Sequence, residues 1–165
     1  MAFVLLGGLH AWAAQPQQTL TPLEASVRHE LVMLPYHSIF DNLEFQVEGG
    51  QVTLSGQVVR PTLKKAAERV VAKLPNVQSV VNNIEVLPAS PYDSQIRLAV
   101  YRAIYRNPNF VRYANRALPP IHIIVNRGNV TLVGAVGSEI DRVIAGMRAS
   151  SVPFVFEVDN RLAVS

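Results

Sequence analysis

Val52-Thr53-Leu54-Ser55-Gly56-Gln57-Val58 and Val130-Thr131-Leu132-Val133-Gly134-Ala135-Val136 are one pattern written twice, 78 residues apart. The pattern alternates with period two, as a strand with one buried face requires. Ahead of each copy stand a glycine, Gly50 or Gly128, and a shorter apolar run, Phe45-Gln46-Val47 or Ile123-Ile124-Val125. The reading is a β-hairpin whose turn needs positive φ at Gly50 and Gly128, where a Cβ is disfavoured. Gly56 and Gly134 recur with them and are read as structural turn residues too.

Working outward, Phe45–Val86 overlays Ile123–Val164 without a gap, and 13 of the 42 positions are identical. Identities clustered this way mark a duplicated unit. Upstream, Pro22/Pro91, Val27/Ile96, Leu31/Val100 and Tyr36/Tyr105 correspond at a shift of 69, so the second copy gains nine residues between its first helix and first strand. Thr21-Pro22 and Glu24 open a helix, with proline in its first turn and an acid near the positive end of the dipole. After the hairpin, Thr62 to Leu74 carries an apolar stripe of helical period, and Val77 to Val86 reads as a last strand. The fold class expected is α+β: two tandem small αββαβ domains, each a three-stranded mixed sheet covered on one face by two helices. The expected divisions are a polar linker at 15–21, a first domain at 22–87, a linker at 88–91 and a second domain at 92–165 with an insertion at 107–120.

Composition narrows the function. The chain has 165 residues, 49% hydrophobic and 16% charged, with no cysteine, which excludes a disulfide framework and thiolate chemistry. No stretch reaches the ~18 apolar residues that span a bilayer. Residues 1–14 read as a signal peptide: an apolar run ending in Ala11-Trp12-Ala13, then the polar Gln15-Pro16-Gln17-Gln18. No Lys or Arg precedes that run, so it is either a leader truncated at its N-terminus or a plain hydrophobic start.

The hairpin with V-T-L-x-G, the amphipathic helix and the strand P-x-V-x-x-V-x-N-x-[IL]-x-V resemble the BON domain of bacterial envelope proteins. Here the pattern runs from Val52 to Gly56 with Pro75 to Val86, and from Val130 to Gly134 with Pro153 to Val164. The resemblance implies the αββαβ unit, export to the periplasm or envelope, and a binding role at membranes. Phe154 stands where the family commonly has glycine.

No catalytic pattern is found and no cofactor is expected. His29, His37 and His122 lie at no metal-ligand spacing, and His122 reads as a strand-surface residue. Asp41 and Glu44 read as exposed loop acids. The pointed feature is electrostatic. Residues 22–87 sum to −1, residues 91–165 to +4, and Ser94 to Ser138 holds six arginines and no acid. Arg97, Tyr101, Arg102, Tyr105, Arg106, Phe110, Arg112, Tyr113 and Arg116 form the candidate ligand-binding set, because arginines and amphipathic aromatics suit an anionic headgroup surface. The expectation is a non-catalytic exported module that binds anionic phospholipid mainly through the second domain. The alternative is a protein-interaction module of the envelope, with charge asymmetry setting orientation; no nucleic acid is expected.

Overall fold

The computed structural model describes residues 20–165, so the expected leader lies outside the described residues. The first copy opens with α1 (Pro22–Val32), started by a reciprocal capping box in which Thr21 and Glu24 satisfy each other's amides. The strands β1 (Asn42–Glu48) and β2 (Gln51–Val58) pair antiparallel around Gly49-Gly50. The chain crosses back through α2 (Pro61–Val71) to β3 (Ser79–Asn82) and β4 (Glu85–Val86), both parallel to β2. The second copy repeats the plan with α3 (Pro91–Tyr105), β5 (Ile121–Asn126), β6 (Asn129–Val136), α5 (Glu139–Ser150) and β7 (Glu157–Val164). Between α3 and β5 the insertion forms a 3-10 turn (Pro108–Phe110) and α4 (Val111–Ala114). Each sheet is mixed, with the hairpin's second strand in the middle.

Each sheet presents one face to its two helices. Val52, Leu54 and Val58 meet Val27 and Leu31 of α1 and Leu63, Ala67 and Val71 of α2; Val130, Leu132 and Val136 meet Ile96, Val100, Ala145 and Ala149. The repeated asparagines tie the last strand to the helix. Asn82 Nδ2 donates to Lys64 O at 3.0 Å and Asn160 Nδ2 to Arg142 O at 2.7 Å, while their Oδ1 atoms accept from the amides two residues on. In the first copy the strand expected across 77–86 breaks into two at this point; in the second it runs through.

Gly50 (φ +90°) and Gly128 (φ +80°) occupy the hairpin turns as expected, but Gly56 and Gly134 do not. They lie inside β2 and β6 at φ +102° and +122°, opposite Leu43 and Ile121. A Cβ would fall 2.2 Å from Asn42 O at Gly56 and 1.8 Å from Pro120 O at Gly134, so backbone passes through the space a side chain would take.

The two copies are joined by more than their linker. Ile39, from the segment before β1, is buried in the second copy's core, and Phe40 packs against it. The Ile123 amide donates to Ile39 O at 2.7 Å, and His122 Nδ1 lies 2.6 Å from Asp41 O. Asp41 is buried, not the exposed loop acid expected: its carboxylate accepts from the Ser38 amide and hydroxyl and from the Val59 amide. The ring of His37 stands 5.9 Å from that of His122. Burial first, then His122, holds His37 below the ordinary histidine value, and burial does the same to His122, both against the opposing pull of the Asp41 carboxylate.

Two outcomes follow from this geometry. Gly134→Ala should destabilise the second copy by about 1–3 kcal/mol, visible as a lower urea midpoint, because the Pro120–Ile121 backbone must move and φ is positive. Gly50→Ala should cost less, since two of the three nearest atoms belong to the movable Gln78 side chain. Both junction histidines are held neutral, so opening the junction takes up protons. Docking is then at full strength above the ordinary pKa of about 6.5 and weakens as pH falls below it, by at most about 1.4 kcal/mol per pH unit per histidine. Melting temperature followed from pH 7.5 to 5 should fall in the parent and flatten in His37→Phe/His122→Gln.

Candidate functional site

The nine candidate residues divide by burial. Arg102, Arg106, Arg112 and Arg116 are exposed, and Tyr101 is partly so, tilted against Tyr105 with ring centroids 5.2 Å apart. Arg97, Tyr105, Phe110 and Tyr113 are buried and leave the candidate surface. Arg97 lies on the core side of α3 and its Nη2 donates to Val125 O at 2.8 Å. Tyr105 donates to Ile121 O at 2.8 Å and accepts from the Ile121 amide, pinning the start of β5 to α3. Phe110 has no exposed surface at all, because the insertion folds back and becomes core.

Asp141 explains how the insertion docks. It occupies the α5 position that matches Leu63, a core residue of α2. Arg112 pairs with its carboxylate, Tyr113 donates to it at 2.8 Å, and the Gly137 amide donates to Tyr113 at 2.7 Å. Burial would raise the Asp141 pKa; the Tyr113 and Ser138 donors and the Arg112 charge outweigh it and hold the carboxyl below its ordinary value. A polar residue in a core position is thereby satisfied by the insertion that the first copy lacks.

A different set of apolar residues stands in solvent. Phe154 is 83% exposed, Phe156 80%, Tyr92 78% and Ile140 71%, and Val143 and Met147 are exposed as well. Ile140, Val143 and Met147 are spaced three and four apart, one outward stripe of α5. Their matches in the first copy are Thr62, Lys65 and Arg69, and the matches of Phe154 and Phe156 are Asn76 and Gln78. The backbone is the same in both. Phe156 N donates to Gly128 O at 3.0 Å as Gln78 N does to Gly50 O at 2.8 Å, and Phe154 has φ 68° where Asn76 has 69°. The fold is thus built equally well with polar residues, and the apolar ones belong to the second copy's own chemistry. On α3, Arg102 and Arg106 are one turn apart, in the helix layer that also carries the α5 stripe. Sequence reasoning noted only Phe154, as a departure from the family's glycine, although aligning the repeats exposes every one of the five substitutions.

The αββαβ unit is used twice, with helices on one face of each sheet, and the described residues hold no group of three or more metal-ligating side chains. The chain belongs to the BON domain family: the family model matches residues 19–88 and again 92–165. BON domains occur in envelope proteins and are generally non-catalytic. Among solved structures, one of CdsD, a structural protein of the type III secretion system of Chlamydia trachomatis, is 15% identical, with 86% of this chain and 91% of that chain covered at a TM-score of 0.34. A second, of the CdsD C-terminal domain, is 14% identical, covering 89% and 99% at 0.32. At these TM-scores neither likeness supports any transfer to this chain. No curated protein matches. Among the described residues, no helix is long and apolar enough to cross a membrane.

Tyr113→Phe should remove two hydrogen bonds at once and destabilise the second domain by about 1–3 kcal/mol in a denaturant titration. The surface stripe is untouched by this change, so surface binding at temperatures where the variant is folded should match the parent.

Proposed function

We propose that the protein is a non-catalytic, exported envelope module whose second domain binds anionic phospholipid surfaces through its helix layer. One observation carries the reading: five positions that are polar in the first domain, Thr62, Lys65, Arg69, Asn76 and Gln78, are Ile140, Val143, Met147, Phe154 and Phe156 in the second. Exposed apolar side chains gathered on one side of a domain mark an interaction site. Full burial of each is worth roughly 1.5–3 kcal/mol, so partial insertion of a few suffices for reversible attachment. Arg102 and Arg106 add on the order of 1 kcal/mol each near a negatively charged surface, which favours membrane over an apolar protein partner. The charge difference of −1 against +4 supports the second domain as the one with this role. The apolar N-terminal run ending in Ala11-Trp12-Ala13 supports export.

Co-sedimentation of the full chain with vesicles of phosphatidylcholine, with and without phosphatidylglycerol, at two salt concentrations tests this. Binding should require the anionic lipid and fall at high salt. Arg102→Gln/Arg106→Gln should weaken it mainly at low salt. Ile140→Thr/Val143→Gln/Met147→Gln should weaken it at least tenfold at both. Equal binding to neutral and anionic vesicles, or none, overturns the reading in favour of an envelope protein partner.

A further inference from the structure

The second domain holds an open cleft of about 740 Å³ between α3 and the segment that follows α5. Tyr92, Ile96 and Ala99 of α3 form one wall, and Val152, Phe154 and Phe156 form the other. Gly128 lies under the Phe156 ring, where a Cβ would come within 2.6 Å of it, so glycine there lets the aromatic wall close down on the hairpin. Phe154 keeps a left-handed backbone that asparagine accepts readily and an aromatic adopts at a cost, and its ring stands in solvent. That is a poor arrangement for folding and a good one for a wall.

The cleft falls within the usual size range of small-molecule sites. Its backbone has little to offer a peptide strand: Gly128 O already accepts from Phe156 N, and Val152 O from Val155 N. At the rim, Asp93 is buried and its two carboxylate oxygens accept from the Arg127 and Gly128 amides at 2.9 Å. The Arg127 side chain is exposed and makes no ion pair among the described residues. An apolar trough with an unpaired cation at its mouth matches one kind of ligand, a chain with an anionic head. We propose that this cleft takes up a single acyl chain bearing an anionic headgroup, with the chain between α3 and Phe154/Phe156 and the head at Arg127. The proposal rests on the membrane reading above and names what the surface draws from the bilayer.

The full chain can be titrated with an anthroyloxy-labelled fatty acid. Displacement by laurate and by lysophosphatidylglycerol, each below its micelle concentration, separates a free fatty acid from a phospholipid as the source. Saturable one-to-one binding is expected. Phe154→Asn/Phe156→Gln installs the first domain's own residues at exposed positions and should weaken binding at least tenfold. Arg127→Gln should weaken anionic amphiphiles several-fold and leave lysophosphatidylcholine unchanged. Absence of saturable binding, or an unaffected Phe154→Asn/Phe156→Gln variant, overturns the proposal. If the chain sediments with anionic vesicles but binds no monomeric amphiphile, the cleft fails and the surface reading stands. If it binds the amphiphile but no vesicle, the surface reading fails and the cleft remains.

Discussion

The hydrogen bond from the Ile123 amide to Ile39 O decides which parts of the second domain are open to a partner. The strand β5 is an edge strand, and an open edge of alternating apolar residues invites pairing with another chain. Here the edge is occupied from within, by the segment that carries Ile39 and Phe40. The same docking covers part of the side of the sheet away from its helices. His122 reaches Asp41 O, and Ile124 faces a cleft shared with Gln57, Glu85 and Leu87 of the first domain. With one edge and part of one face taken, the helix layer of α3 and α5 is the broad free surface of the second domain; Ile140, Val143 and Met147 lie on it, and Phe154 and Phe156 stand in the loop between α5 and β7.

Much of this fold was legible because the sequence states it twice. Gly50/Gly128 and Asn82/Asn160 are backbone and tether positions whose chemistry has few substitutes, so they stand out in the alignment of the copies. The recurrence of Gly56/Gly134 was equally visible, but its reason was not. A strand glycine admits a neighbouring backbone, and that neighbour, Asn42 or Pro120, is identified only once the strands are paired. Asp41 defeated composition-based reading for a related cause. Its donors, from Ser38 and from Val59 eighteen residues on, converge only when β1 and β2 are side by side.

The candidate site was half legible. Arginines at 102, 106 and 116 are exposed as a charged side chain without a buried partner must be. The aromatics interleaved with them went the other way. Tyr113 faces inward because it donates to Asp141, which stands where the first copy has the core residue Leu63, and Phe110 because the insertion folds back as core; local pattern reveals neither. Conversely, Phe154 stood out in the sequence only as a departure from the family's usual glycine, and Phe156 not at all. Only comparison with Asn76 and Gln78 shows that the same backbone has no need of them. In a duplicated protein, one copy serves as the control for the other.

The placement of Ile39 also bears on how the chain is made. Ile39 and Phe40 leave the ribosome long before β5 and β6, the strands they pack against, which end at Val136. At roughly 5–20 residues per second, the interval is several seconds to some twenty seconds, during which the first domain can fold but its apolar segment has no partner. A nascent chain in that interval presents two large hydrophobic side chains next to a finished domain, a natural point of engagement for a holding chaperone. The folding of the second unit is therefore the event that covers Ile39 and Phe40.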